Sequence, residues 1–188
     1  FDAVLECFSA AKRDLGEVLS AVEFLDAESY NLVNHHINGR PPLDAACRHY
    51  MLIELAGSHA AHDEEKLASF LTHVMDAGIV DDGTIAQDQA QAQGIWRVRE
   101  GITGALSKSG AVFKYDVSIP LVELYELCDV MRARLAPLGA LVTGFGHLGD
   151  GNLHLNIYTP DRFEKDLAVE EAIEPFLYEW IAQRRGSI

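Results

Sequence analysis

Apolar and polar positions along this chain follow two periods in turn. Val4, Leu5, Phe8, Ala11 and Leu15 recur at helical spacing, which predicts a helix over residues 1–15 stopped at Gly16. Residues 19–25 read as a strand and 27–37 as a helix that runs into the loop signal Gly39-Arg40-Pro41-Pro42. A short buried strand over 50–55 precedes a helix over 63–75 with an acidic first turn, and Asp82-Gly83 marks a turn. The long helix expected over 87–107 has a core face of Ile95, Val98, Ile102 and Leu106. Gly101 and Gly104 lie inside it, each costing about 1 kcal/mol relative to Ala in a helix interior. Crowding against a neighbour is the preferred explanation, close approach of a ligand the other. Residues 111–119 alternate strictly, with Phe113, Tyr115, Val117 and Ile119 on one face and Lys114, Asp116 and Ser118 on the other. Helices over 121–135 and 167–184 and strands over 141–145 and 153–158 complete the pattern. Short strands separated mostly by helices predict an α+β domain, its sheet mainly antiparallel or mixed and its helices packed on one side.

The 188 residues suffice for one domain, 1–188. Net charge is −14, a surface that repels phosphate backbones and argues against a nucleic-acid partner. A few sheltered cations can still capture a small carboxylate. Cys7, Cys47 and Cys128 are odd in number and lack CxxC spacing, which points away from a disulfide framework or zinc knuckle and toward a reducing compartment. No apolar run reaches transmembrane length. There is no GxGxxG after a strand and no P-loop, so no nucleotide-binding domain is expected within the chain. The chain starts at Phe1 with no targeting segment, and an earlier segment is expected to precede it.

The most informative stretch runs Gly144-Phe145-Gly146-His147-Leu148-Gly149-Asp150-Gly151-Asn152-Leu153-His154-Leu155-Asn156-Ile157. Asp-Gly between two apolar runs is a strong hairpin signal. With Asp150-Gly151 as a two-residue loop, His147 opposes His154 on one face, and Asn156 shares that face. Two imidazoles so placed can share a metal or simply stack, and two ligands alone do not decide between these. The surrounding glycines leave the backbone bare, as it is where a flavin ring or a substrate lies against it.

GHLGDGNLHLN resembles the hallmark of the C-terminal domain of FAD-linked D-lactate and D-2-hydroxyglutarate dehydrogenases. Residues 19–24 with Asp26, the run from Ala61 to Leu67, Asp82-Gly83-Thr84, Trp96 to Arg99 and Lys114-Tyr115-Asp116 all resemble the D-2-hydroxyglutarate branch. The resemblance implies that His147 and His154 hold a divalent metal, taken as zinc. It implies FAD on a separate N-terminal domain, with Gly149, Asp150, Gly151 and Asn152 adjacent to that cofactor. Arg99, Thr103, Lys114 and Asn156 then bind the substrate, a small D-2-hydroxyacid. The C1 carboxylate falls to the metal, Arg99 and Asn156, and a distal carboxylate to Lys114 and Thr103. An Arg fork grips a carboxylate bidentately and a Lys adds a point charge, and two carboxylates need two cationic contacts. Without the resemblance, these would read as solvated polar groups.

In the family a Glu completes the metal site and a neighbouring His takes the hydroxyl proton, shortly beyond the helix expected over 167–184. No catalytic residue is therefore expected within 1–188, and the chain alone is expected to be inactive. Hydride passes to the flavin, electrons leave through an electron-transfer partner protein, and the setting is mitochondrial in eukaryotes and cytoplasmic otherwise. A D-lactate enzyme is one alternative. Some relatives are named actin-interacting proteins, although no basic or amphipathic docking segment supports that reading. His59 and His62 form an HxxH pair that fits a helix start, and His35-His36 fits a helix end. Glu170, Glu171 and Glu174 read as a solvated face, and Asp150 as a turn residue.

Overall fold

The computed structural model describes residues 1–36, 41–43 and 46–188. The Gly39-Arg40 half of the expected loop and the helix end expected at Ile37 lie outside the described residues. In chain order the elements are α1 (Asp2–Leu15), β1 (Leu19–Asp26), α2 (Ala27–His36), β2 (His49–Leu55), α3 (Ala60–Asp76), α4 (Gln89–Ser109), β3 (Gly110–Ser118), α5 (Glu126–Leu135), β4 (Leu141–His147), β5 (Asn152–Pro160), α6 (Leu167–Ile173) and α7 (Phe176–Gln183). The helix expected over 121–135 opens with a separate 3-10 turn, Leu121–Glu123. The helix expected over 167–184 is two, because Pro175 has no N–H to donate and caps the second of them.

Among the described residues the strands form one sheet in the order β2-β1-β4-β5-β3, with every neighbouring pair antiparallel. The α+β class and the antiparallel sheet are as expected. The helices, expected on one side, divide between the two faces. Val22, Phe24, Phe113, Val142, Leu155 and Ile157 pack against α1, α5, α6 and α7. Leu25, Phe145 and Tyr158 turn the other way, toward α2 and the Val98, Ile102 and Leu106 stripe of α4. Strands covered on both faces lose the clean alternation of a half-wet sheet, and β5 is buried almost continuously.

The β4–β5 hairpin departs from its expected register. His147 pairs with Asn152 and Phe145 with His154, so the loop spans the four residues 148–151 rather than two. Leu148 is the cause. Its side chain is fully buried in the core and its N–H bonds Val22 O at 3.0 Å on β1, which removes it from pairing with β5. The slip is two residues, so each side chain keeps its face; a slip of one would have reversed them all. Gly144 and Gly146 are small for packing reasons. A Cβ on Gly144 would sit 2.4 Å from Cys128 Sγ under α5, and one on Gly146 would sit 2.1 Å from Asn152 O. Crowding does not account for Gly104, where a Cβ would meet nothing.

Candidate functional site

The register places Glu23 of β1, Phe145 and His147 of β4, Asn152, His154 and Asn156 of β5, and Lys114 and Asp116 of β3 on one face of the sheet. That face also carries the α2–α4 layer. Five of its side chains make a continuous line across four strands and a helix. Arg99 of α4 donates from Nε to Glu23 Oε2 at 2.8 Å. Glu23 Oε1 meets His147 Nδ1 at 2.6 Å. His147 Nε2 faces His154 Nε2 at 3.2 Å, with the ring planes nearly perpendicular. His154 Nδ1 in turn bonds Asp116 Oδ1, its direct cross-strand partner. His147 and His154 are diagonal rather than opposed, a separation that long side chains still span.

The two ends of this line differ in exposure. The Glu23 and Arg99 side chains are 6% and 12% exposed, and that of Asp116 is 73% exposed. Phe145 stiffens the buried end, with the Arg99 guanidinium 4.6 Å above its ring and the His154 ring 5.0 Å away. The Arg99 terminal nitrogens have no protein partner among the described residues.

The electrostatics at the centre follow from the outer contacts. An ionised carboxylate accepts and does not donate. Each neutral imidazole therefore carries its proton on Nδ1 and presents a bare Nε2 to the other. Two facing lone pairs repel unless a proton or a cation lies between them. Two nitrogens on one tetrahedral zinc, at Zn–N of ~2.0–2.1 Å, stand about 3.3 Å apart, close to the separation here. A ligand His with its second nitrogen on a carboxylate is also the usual supporting arrangement at metal sites. The histidines fit a metal as two ligands, and no group of three or more His, Cys, Asp or Glu that could hold one is present among the described residues.

The remaining expected residues are only partly assembled. Asn156 is nearly buried, pairs with Lys114 and Thr143, and donates from Nδ2 to His154 O at 3.3 Å. Lys114 is exposed and makes no hydrogen bond or ion pair among the described residues. Thr103 is exposed one turn along α4 from Arg99. Gly149 and Asp150 are exposed at the turn, where Asp150 Oδ1 accepts from Asn152 N at 3.1 Å. Gly151 adopts a φ of +69°, which demands glycine. His59 caps α3 by accepting from His62 N, and His36 bonds Ser109 at the end of α4, so one histidine of each pair has a structural partner. Glu174, expected to be solvated, accepts from Tyr115 Oη at 2.9 Å. A cavity of about 440 Å³ lined by Asp14, His62, Lys66 and His73, and one of about 640 Å³ along Gln93, Trp96, Arg97 and Glu100, include no member of the line.

Sequence reading missed Glu23, and it named Asp116 without giving it a role. The signal for Glu23 was present: a charge within the apolar run Val22-Glu23-Phe24-Leu25, on the strand face that helices cover.

The family model described as FAD linked oxidases, C-terminal domain, matches residues 1–188. The chain is similar to a mitochondrial D-2-hydroxyglutarate dehydrogenase of Arabidopsis thaliana, 52% identical over 179 residues that cover 95% of this chain and 31% of the relative. It is 48% identical to the mitochondrial D-2-hydroxyglutarate dehydrogenase of Rattus norvegicus over 188 residues, 100% of this chain and 34% of the relative. A D-2-hydroxyglutarate–pyruvate transhydrogenase of Saccharomyces cerevisiae is 37% identical over 198 residues, 100% of this chain and 39% of the relative. The chain thus spans about a third of the length of the curated relatives it matches.

Proposed function

Because the chain belongs to the family of FAD-linked oxidase C-terminal domains, we propose that it is the substrate- and metal-binding part of a flavin-dependent dehydrogenase that oxidises D-2-hydroxyglutarate to the 2-oxoacid. The observation that carries this reading is the line from Arg99 through Glu23, His147 and His154 to Asp116, with Lys114 and Asn156 beside it. His147 and His154 would hold a divalent metal, zinc by the chemistry of its donors, and when bound it supplies Lewis-acid polarisation of the substrate hydroxyl. FAD, held by another part of the full-length protein, would supply the hydride acceptor. Gly149, Asp150, Gly151 and Asn152 are the part of this chain assigned to face it.

The chain's own residues bind and orient. Arg99, held at Nε by Glu23, keeps its two terminal nitrogens for the C1 carboxylate, a fork that fixes direction as well as charge. Asn156 supports the same end. Lys114, exposed and without a protein partner among the described residues, takes the distal carboxylate, with Thr103 beside it. No proton-abstracting role is assigned within 1–188. In a eukaryote the protein would work in mitochondria, as the names of the relatives suggest, and pass electrons to a partner protein.

The test is anaerobic mixing of the full-length flavoprotein with D-2-hydroxyglutarate, its L enantiomer and D-lactate. Rapid bleaching of the flavin by the first, slower bleaching by D-lactate and none by the L enantiomer is the expected result. A flavin that stays oxidised with D-2-hydroxyglutarate overturns the reading.

A further inference from the structure

The Glu23 carboxylate serves two partners at once, and they are the two halves of the proposed site. Oε2 accepts from Arg99 Nε at 2.8 Å, and Oε1 meets His147 Nδ1 at 2.6 Å. Glu23 itself is 5% exposed. We propose that Glu23 is a positioning residue: it dictates which nitrogen of His147 carries the proton, and with the same carboxylate it aims Arg99. This rests on the roles given to His147 and Arg99 above.

A buried carboxylate must be paired, and a buried pair is a weak source of stability, since an apolar replacement of similar volume often does as well. Burial of this charge is better understood through what it does to its partners. As an acceptor at both oxygens, Glu23 requires a donor on each side. His147 must then hold its proton on Nδ1 and turn a lone pair toward His154, the state in which a neutral imidazole can ligate. On the other side only Nε of Arg99 is engaged, which leaves the planar fork of terminal nitrogens directed away from the carboxylate. Asp116 makes the matching contact to His154, but its side chain is 73% exposed, so Glu23 is the rigid anchor of the two. Glu23 and His147 are also direct cross-strand partners, which sets their separation by the backbone.

Glu23→Gln tests this, because the amide keeps the shape and changes the rules. Arg99 can only donate, so the amide oxygen must turn to it and the NH2 group must face His147. His147 Nδ1 then becomes an acceptor and the proton moves to Nε2. The experiment is performed on the full-length protein labelled with 15N-histidine, in metal-free form, and the two ring nitrogens of His147 are read by NMR. The wild type is expected to show Nδ1–H and Glu23→Gln to show Nε2–H. Zn(II) affinity, titrated separately, should fall 10- to 100-fold in Glu23→Gln, the usual effect of losing such a supporting contact. Glu23→Asp, which keeps the acceptor, should recover the Nδ1–H form and part of the affinity. A folded Glu23→Gln protein with an unchanged tautomer and unchanged Zn(II) affinity overturns the proposal. So does a Glu23→Asp variant no better than Glu23→Gln in both readouts. Wild-type protein that binds no Zn(II) and bleaches no flavin overturns the functional reading instead, and the tautomer comparison still judges Glu23 by itself.

Discussion

Asp26, 1% exposed at the end of β1, accepts a charge-assisted hydrogen bond from Arg132 Nη2 of α5 at 2.5 Å. The same Oδ2 takes Tyr125 Oη at 2.9 Å and Gly144 N at 2.7 Å, and Oδ1 takes Ser29 N at 2.9 Å. Burial, and then the Asp26 charge, push the Tyr125 phenol far above the ordinary tyrosine range. One carboxylate thus ties the strand of Glu23 to the strand of His147 and to the helix beneath both.

Asp26→Ala is expected to destabilise the protein by about 3–5 kcal/mol, because it takes the buried carboxylate from Arg132 and leaves the Ser29 and Gly144 N–H groups without their acceptor. Urea unfolding checks this through the midpoint at constant slope. A loss below about 1 kcal/mol would mean that water replaces the carboxylate.

Lys114→Met is expected to lower kcat/KM of the full-length enzyme for D-2-hydroxyglutarate about ten- to a hundred-fold, the equivalent of ~1.5–3 kcal/mol. D-lactate, which has no second carboxylate, should be turned over nearly as before. Lys114 is exposed, so the fold should not suffer. Arg99→Met should damage both substrates, and it also strips Glu23 of a partner. Steady-state kinetics with both substrates decide, and equal losses for Lys114→Met would remove it from the distal-carboxylate role.

Stability should fall in acid through His49. Burial, with the Arg48 charge adding to it, lowers this imidazole from 6.5 to about 4. Its Nε2 is buried with no hydrogen-bond partner among the described residues, and the ring lies edge-on to Tyr125 at 4.4 Å. Between these two values the unfolded chain binds a proton that the folded chain refuses. Stability therefore rises with pH there and is lost as pH drops from about 6.5 to about 4, by at most about 3 kcal/mol. His49→Phe keeps the ring packing and should flatten this part of the stability curve. Parallel curves for the two proteins between pH 7 and 4, measured by denaturant titration, would contradict the assignment.

Two glycines should respond with opposite signs. Gly104 lies exposed within α4 with open space around a built Cβ, so Gly104→Ala should stabilise by about 0.5–1 kcal/mol through helix propensity. Gly144→Ala drives a methyl into Cys128 and should cost about 1–3 kcal/mol. Melting temperatures of the pair, shifting up and down respectively, are the check.

Periodicity alone located most of the elements, and the alternation along β3 was read with its faces correct. The hairpin carrying His147 and His154, and their common face, were also legible, because a turn signal and strand alternation are local properties. The break at Pro175 was equally local and could have been taken from the chain. The four-residue loop was not legible, since it depends on Leu148 finding a place in the core and a carbonyl on β1.

The sequence by itself determined the strands, the histidine hairpin and the resemblance that points to a flavin-linked dehydrogenase. Only the tertiary structure decided what holds those histidines. Glu23 and His147 are 124 residues apart in the chain, and Arg99 and Glu23 are 76 apart. Their meeting follows from the sheet order β2-β1-β4-β5-β3, which brings an early strand beside a late one, and from α4 lying over that face. Local periodicity can say which way a side chain points, but it carries no record of which distant strand lies next to it.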